Sequence, residues 1–195
     1  MSDTRTEILQ HNYMAIRKYG FQGVRTDKVV TGMGLTKGAL YHHFPTKWDV
    51  GYAVVDELIA PQYLRIWQPF ADTETAHMTV LGDTLRWYLQ WAQTDEQIEL
   101  GCPLTNLTQE MSPLDEGFRL RLRRITVGMQ QQIETGLKNG QLARAFRADL
   151  NPTQVAYFLL ASIDGGFSKA KAMQNRVVFE MVVRQMLQYI QTLAG

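Results

Sequence analysis

The segment LTKGALYHHFPTK, residues 35–47, gathers many of the groups in this chain that suit a polyanion. Thr36 and Tyr41 offer hydroxyls, Lys37 and Lys47 ammonium groups, and His42 an imidazole. Lysine, hydroxyl and the free amides of a helix N-terminus are the usual partners of phosphate oxygens, while bases are read by the few outward groups that reach a groove floor. Thr36 suits an N-cap, and Leu40 with Phe44, spaced i and i+4, supplies an inward apolar seam. Gly38 costs a helix about 1 kcal/mol relative to alanine, so its place early in a short helix points to close approach of the backbone to something large. Neighbouring His42 and His43 project about 100° apart on a helix, and no other ligand cluster accompanies them, so no metal site is expected.

A second chemical feature is Gly101-Cys102-Pro103. Proline favours the first helical position, which puts Cys102 at the N-cap, where unpaired amides and the helix dipole favour a thiolate. Thiols so placed can fall from about 8.5 to ~3.5–7.5 and react with electrophiles or oxidants. The same position equally suits a small buried residue that only caps the helix. As the single cysteine of the chain it excludes an internal disulfide and fits a reducing compartment. Arg119, Arg121, Arg123 and Arg124 form a basic run, expected as a solvated face paired with Asp115 and Glu116. No Ser/His/Asp order, glycine-rich phosphate loop or paired carboxylates are present, so neither catalysis nor a cofactor is expected.

The elements that must hold these groups all read as helices. The pattern predicts spans over residues 4–19, 27–33 and 35–44, then 47–68 with a kink at Pro61, then 74–94. A shorter helix after Pro103 and spans over 113–139, 152–172 and 176–194 complete about nine, an all-α chain. Helix, glycine turn at Gly34, helix is the grammar of a helix-turn-helix. The expected division is a DNA-binding domain over 1–50 and a larger domain over 51–195. The first 49 residues carry seven Lys/Arg against four acids, and the remainder thirteen against fifteen. A basic end on a slightly acidic body suits a polyanion partner for that end. No apolar run approaches a membrane span and the start does not read as a signal peptide, so a cytoplasmic protein is expected.

Gly20-Phe21, then Gly34-Leu35-Thr36-Lys37-Gly38, then Leu40-Tyr41-His42-His43-Phe44 and Lys47 resemble the N-terminal domain of the TetR family of transcriptional regulators. The resemblance covers about the first sixty residues closely, and the remainder in helix number and order. It implies a dimeric repressor that leaves its double-stranded DNA operator when a small-molecule effector binds the larger domain. Carried over by position, it places Thr36, Lys37, Tyr41 and Lys47 at phosphates and Gly38, Ala39 and His42 nearest base edges. Where the family has Thr or Ser before its second helix, this chain has Val24 and Arg25, followed by Thr26; Arg25 and Thr26 are the phosphate candidates there.

The resemblance also implies an effector cavity among the central helices, with Trp67, Trp87, Trp91, Phe118 and Phe158 as candidate walls; aromatic stripes at this spacing equally form plain core. The stretch GCPLTNLTQEMSPLDEGFR resembles a branch whose members answer reactive aldehydes, quinones or oxidants, which implies an electrophilic effector with Cys102 as sensor; Lys171 is the cation expected to lower the thiol pKa further where the fold brings it near. The last two helices are apolar around much of their circumference: Phe158, Ile163, Gly166 and Phe167 on one, Val178, Met181, Val182, Met186 and Ile190 on the other. Such helices need two partners, which a homodimer through a four-helix bundle supplies and burial in a monomer would also supply. A different function class stays open: a small-molecule-binding helical protein or enzyme that carries the helix-turn-helix for another purpose.

Overall fold

The computed structural model describes residues 4–92 and 94–195, and among them the fold is all-α, with one isolated antiparallel bridge, Phe146 to Ala194, outside the helices. The helices are α1 (Thr4–Gly23), α2 (Thr26–Gly32), α3 (Lys37–His43), α4 (Lys47–Ala53), α5 (Ala60–Asp72) and α6 (His77–Trp91). They continue with α7 (Asp95–Leu100), α8 (Pro103–Met111), α9 (Glu116–Leu142), α10 (Pro152–Met173) and α11 (Arg176–Gln191). A π-helical stretch, Val54–Ile59, joins α4 to α5.

Local chemistry explains most boundaries. Thr36 caps α3 by accepting from the Ala39 amide at 3.2 Å, and Thr46 with Asp49 forms a reciprocal capping box at α4. A second box, Thr94 with Gln97, starts the short α7, a helix beyond those the apolar pattern predicts. Asn151 caps α10 with Pro152 at its first position. The kink expected at Pro61 takes the form of a widened turn just before it, where the Ala60 amide bonds back five residues to the Val55 carbonyl. Proline has no N–H to give the preceding turn, and a π turn re-routes the carbonyls it would leave unpaired. The helix also runs through Pro69 and beyond the expected end at Gln68. Nothing among the described residues is long and apolar enough to cross a membrane, and no cluster of His, Cys, Asp and Glu there could hold a metal ion.

Packing groups the chain into two compact units rather than at a single cut near residue 50. One holds the residues up to Gln62 with Asn106–Arg124; the other holds Tyr63–Thr105 and Ile125–Gly195. The first unit's core contains Ile8, Leu9, Ile16, Phe21, Val30, Leu40, Phe44 and Val50, all buried. Phe118, from the start of α9, lies 4.6 Å from Phe21 and 5.1 Å from Tyr52 between ring centroids, so segment 106–124 belongs with the N-terminal helices. In the second unit α10 and α11 run side by side, and Phe167 stacks on Phe179 at 4.0 Å. The contact needs Gly166, where a Cβ would stand 3.0 Å from the Phe179 ring.

Candidate nucleic-acid interface and effector site

The outward face of α3 contains Lys37, Gly38, Tyr41 and His42, all exposed, with Ala39 half-buried and Leu40 and Phe44 turned into the core. Thr36 stands exposed at its start, its hydroxyl oxygen engaged in the cap. Thr26, a phosphate candidate by position, is only 5% exposed, a buried residue of α2. Lys47 is half-buried. Its ammonium donates to the Gln22 carbonyl at 3.1 Å and sits 4.9 Å above the Phe21 ring, and partial burial pulls its pKa down against the attraction of Glu110. Arg25 and Lys37 both reach one carboxylate oxygen of Asp27, at 3.2 and 3.1 Å. Hydrogen bonds from Lys37 and then Arg25 hold the Asp27 carboxyl at about 2.

Behind this face the first unit holds groups that sequence reasoning missed. α1 breaks at Gly20, whose φ of 74° and ψ of 164° turn the chain out of the helix. The amides of Phe21 and Gln22, exposed by that break, donate to the Glu110 carboxylate at 2.9 and 2.8 Å. Asp115 accepts from the Tyr52 hydroxyl at 2.9 Å and from the Phe118 amide at 2.8 Å, so it caps α9 and does not pair with an arginine. Asp56, in the π-helical stretch, accepts from Arg121 and Arg124, each at 2.8 Å, while Arg119 pairs with Glu116 as expected. Acids three residues after a threonine are legible as caps, but nothing local to Glu110 or Asp56 names a partner far along the chain.

The second unit assembles an aromatic and thiol site. Cys102 is 2% exposed, with the Tyr63 hydroxyl 3.0 Å from its sulfur, either group donating. The Thr105 amide donates to the same sulfur at 3.5 Å, the capping place expected, and the Thr105 hydroxyl donates to Asp164 at 2.8 Å. Burial nevertheless pushes the thiol pKa up, the Asp164 charge adds to the rise, and the Thr105 and Tyr63 hydrogen bonds offset only part of it. The expected thiolate is therefore corrected: desolvation outweighs the helix N-terminus. Lys171, the cation expected to lower the thiol pKa, lies on α10 about 10 Å along the axis from Asp164, and the charge that acts on the thiol is that of Asp164. Trp67 is fully buried beside Tyr88, whose hydroxyl is raised by burial and then by Cys102. The Trp67 indole N–H lies near enough to ease that rise, yet no hydrogen bond of good geometry satisfies it. Trp87 meets Tyr88, and Trp91 meets Phe167 edge-on at 5.1 Å.

Two expected wall residues fall elsewhere. Phe118 is core of the first unit, and Phe158 is 48% exposed on the outer side of α10, resting on Tyr189 at 4.6 Å. The residues expected at a dimer face also divide. Ile163, Gly166, Phe167, Met186 and Ile190 are already buried within the single chain. Phe158 and Met181 face outward, Val178 and Val182 are half-buried, and Gly165 meets nothing within 4 Å of where a Cβ would stand.

Comparison with known proteins agrees with this architecture. Residues 8–50 match the model of bacterial regulatory proteins of the tetR family, and residues 80–186, more than half of the chain, match the Tetracyclin repressor-like C-terminal domain. A helix-turn-helix transcriptional regulator of Lactococcus lactis is 27% identical over 188 residues, 92% of this chain and 89% of its own length. The transcriptional repressor DhaR of a Mycobacterium species is 26% identical over 191 residues, 92% of this chain and 94% of its own. The crystal structure of reduced NemR from Escherichia coli shares the fold at a TM-score of 0.85 and 22% identity, covering 100% of this chain and 98% of that one. Matches in both regions, with an outward α3 seated on its apolar seam, lead to one conclusion: the chain belongs to the TetR family of bacterial regulatory proteins.

Proposed function

We propose that this DNA-binding regulator, a repressor under small-molecule control, works as a homodimer joined through the outer faces of α10 and α11, with its effector bound in the Tyr63, Trp67, Tyr88 and Cys102 cluster. The observation that carries the DNA-binding reading is the exposed row Lys37, Gly38, Tyr41 and His42 on a short capped helix whose other side is locked by Leu40 and Phe44. Lys37 and Arg25 serve phosphates, and Gly38, Ala39 and His42 lie nearest the bases. A dimer sets two copies of α3 one helical turn apart, about 34 Å, on a palindromic site. The repressor sense accords with DhaR and NemR, whose names describe repressors.

The cluster suits an aromatic or apolar effector: it is lined by rings and offers the Trp67 N–H to an acceptor. The motif Gly101-Cys102-Pro103-Leu104 supports an electrophile that bonds to Cys102. A second reading has a specific observation in its favour. Sulfur that accepts from the Thr105 amide while buried and neutral is already serving as a cap, which suits a non-covalent effector.

Titration against a pool of duplex DNA at several salt concentrations tests the reading. Sequence preference and a steep fall of affinity with salt are expected. Lys37→Ala weakens binding to every sequence, whereas His42→Ala relaxes preference at particular base pairs; binding without preference or salt dependence would end the proposal.

A further inference from the structure

Asp27 stands among the very groups that face DNA, and its sign is wrong for that surface. Its side chain is only 17% exposed, whereas those of Lys37 and Arg25 are 61% and 64% exposed. Both cations lean over this recessed carboxylate and share a single oxygen, Oδ2, at 3.1 and 3.2 Å. One comes from the residue before α2 and the other from the first turn of α3, so the acid ties together the two elements of the helix-turn-helix at their outer edge.

We propose that Asp27 is a specificity-determining residue: it tethers Arg25 and Lys37 so that they serve phosphates lying along one line and serve others poorly. On arbitrary DNA the protein depends on cations swinging to whichever phosphates are near, since the sequence-independent part of binding is electrostatic. A tethered cation must give up Asp27 to do so, and the fixed negative charge repels the phosphate that replaces it. In the docked complex, where base contacts hold the register, the phosphates approach along the direction already set, and each cation bridges Asp27 and phosphate together. The tether thus weighs more heavily on non-specific than on specific complexes.

The inference rests on α3 facing DNA, and binding of the wild type in the same titrations tests that premise separately. The probes are a random-sequence duplex and a duplex recovered from a random pool by selection on the wild type. Asp27→Asn keeps the side chain's shape and removes its charge. Binding to random duplex should tighten roughly three- to tenfold, the range expected when two exposed ion pairs are released. Binding to the selected duplex should tighten less, so the ratio of the two affinities falls. The salt slope on random duplex should steepen by ~0.9, one further effective charge. Lys37→Gln and Arg25→Gln placed together in the Asp27→Asn background should remove most of the gain. Equal tightening on both duplexes, no change, weaker binding, or a gain that survives the loss of both cations would each overturn the proposal. Melting curves confirm that the variants fold, and Asp27→Ser repeats the measurement should the asparagine variant melt early.

Discussion

Cys102 shows how a single residue can be correctly placed and wrongly charged by local rules. The Cys-Pro pair announces the N-cap, and the Thr105 amide does donate to the sulfur. What the local sequence lacks is the protein around it: the Tyr63 hydroxyl from α5 and the Asp164 charge from α10 act on the thiol, and together with desolvation they set its ionisation. Its folded pKa lies above the ordinary value, so the neutral form is the one the fold favours. The associated stability is complete below the unfolded pKa of about 8.5 and declines as pH rises beyond it. Alkylation by a small maleimide should therefore be slow near neutrality and still accelerating above about pH 9; a rate that levels off near pH 7 would show a thiolate that burial has failed to suppress. Operator release by the same reagent, compared between the wild type and Cys102→Ser, separates covalent sensing from capping. On the DNA side, the burial of Thr26 and the bond from Lys47 to the Gln22 carbonyl are likewise features that residue type alone does not announce.

Elements were more legible than residues, because caps and breakers are local. Gly20 reads as the end of α1, and the chain does leave the helix there. One further turn follows it because Glu110, from α8, supplies the acceptors that its first amides need. That acceptor was invisible in sequence, as was the reason for glycine: a Cβ at residue 20 would stand 3.0 Å from the Glu110 carboxylate in a left-handed backbone region. Gly20→Ala should accordingly cost about 1–3 kcal/mol of stability in a denaturant titration, the usual scale for such strain. Operator affinity should fall with it, since the Phe21 and Gln22 turn also anchors Lys47. A variant as stable as the wild type would mean that the Glu110 clamp relaxes freely. Pro61 was legible as a disturbance but not as a π turn, because the choice between a bend and a widened turn depends on which carbonyls find new donors. The short α7 went unpredicted although its capping box, Thr94 with Gln97, stands in the sequence; one and a half turns carry too little apolar periodicity to register.

At the scale of the whole molecule, periodicity revealed that α10 and α11 are apolar on more than one side but could not say which side the chain keeps for itself. The single chain buries Ile163, Phe167, Met186 and Ile190, and leaves Tyr157, Phe158, Val177 and Met181 exposed. Met181, 57% exposed, is the residue to change. Met181→Asp should yield a monomer by analytical ultracentrifugation without loss of helix content, and operator affinity should drop by roughly 100-fold or more as the second reading head is lost. A variant that still sediments as a dimer would move the interface elsewhere. The all-α class and the helix-turn-helix were readable because they rest on spacing within short segments, whereas the grouping of residues 106–124 with the N-terminal helices depends on Phe118 meeting Phe21, a contact between distant parts of the chain. The placement of the four tryptophans has its own consequence. Trp48, 42% exposed beside Phe21, is alone in the first unit, while the fully buried Trp67 and the half-buried Trp87 and Trp91 lie in the second. Emission from an indole shifts to the red with exposure to water, so Trp48 should emit to the red of Trp67, and changes around the first unit and around the second should register differently in the protein's own fluorescence, with no dye attached.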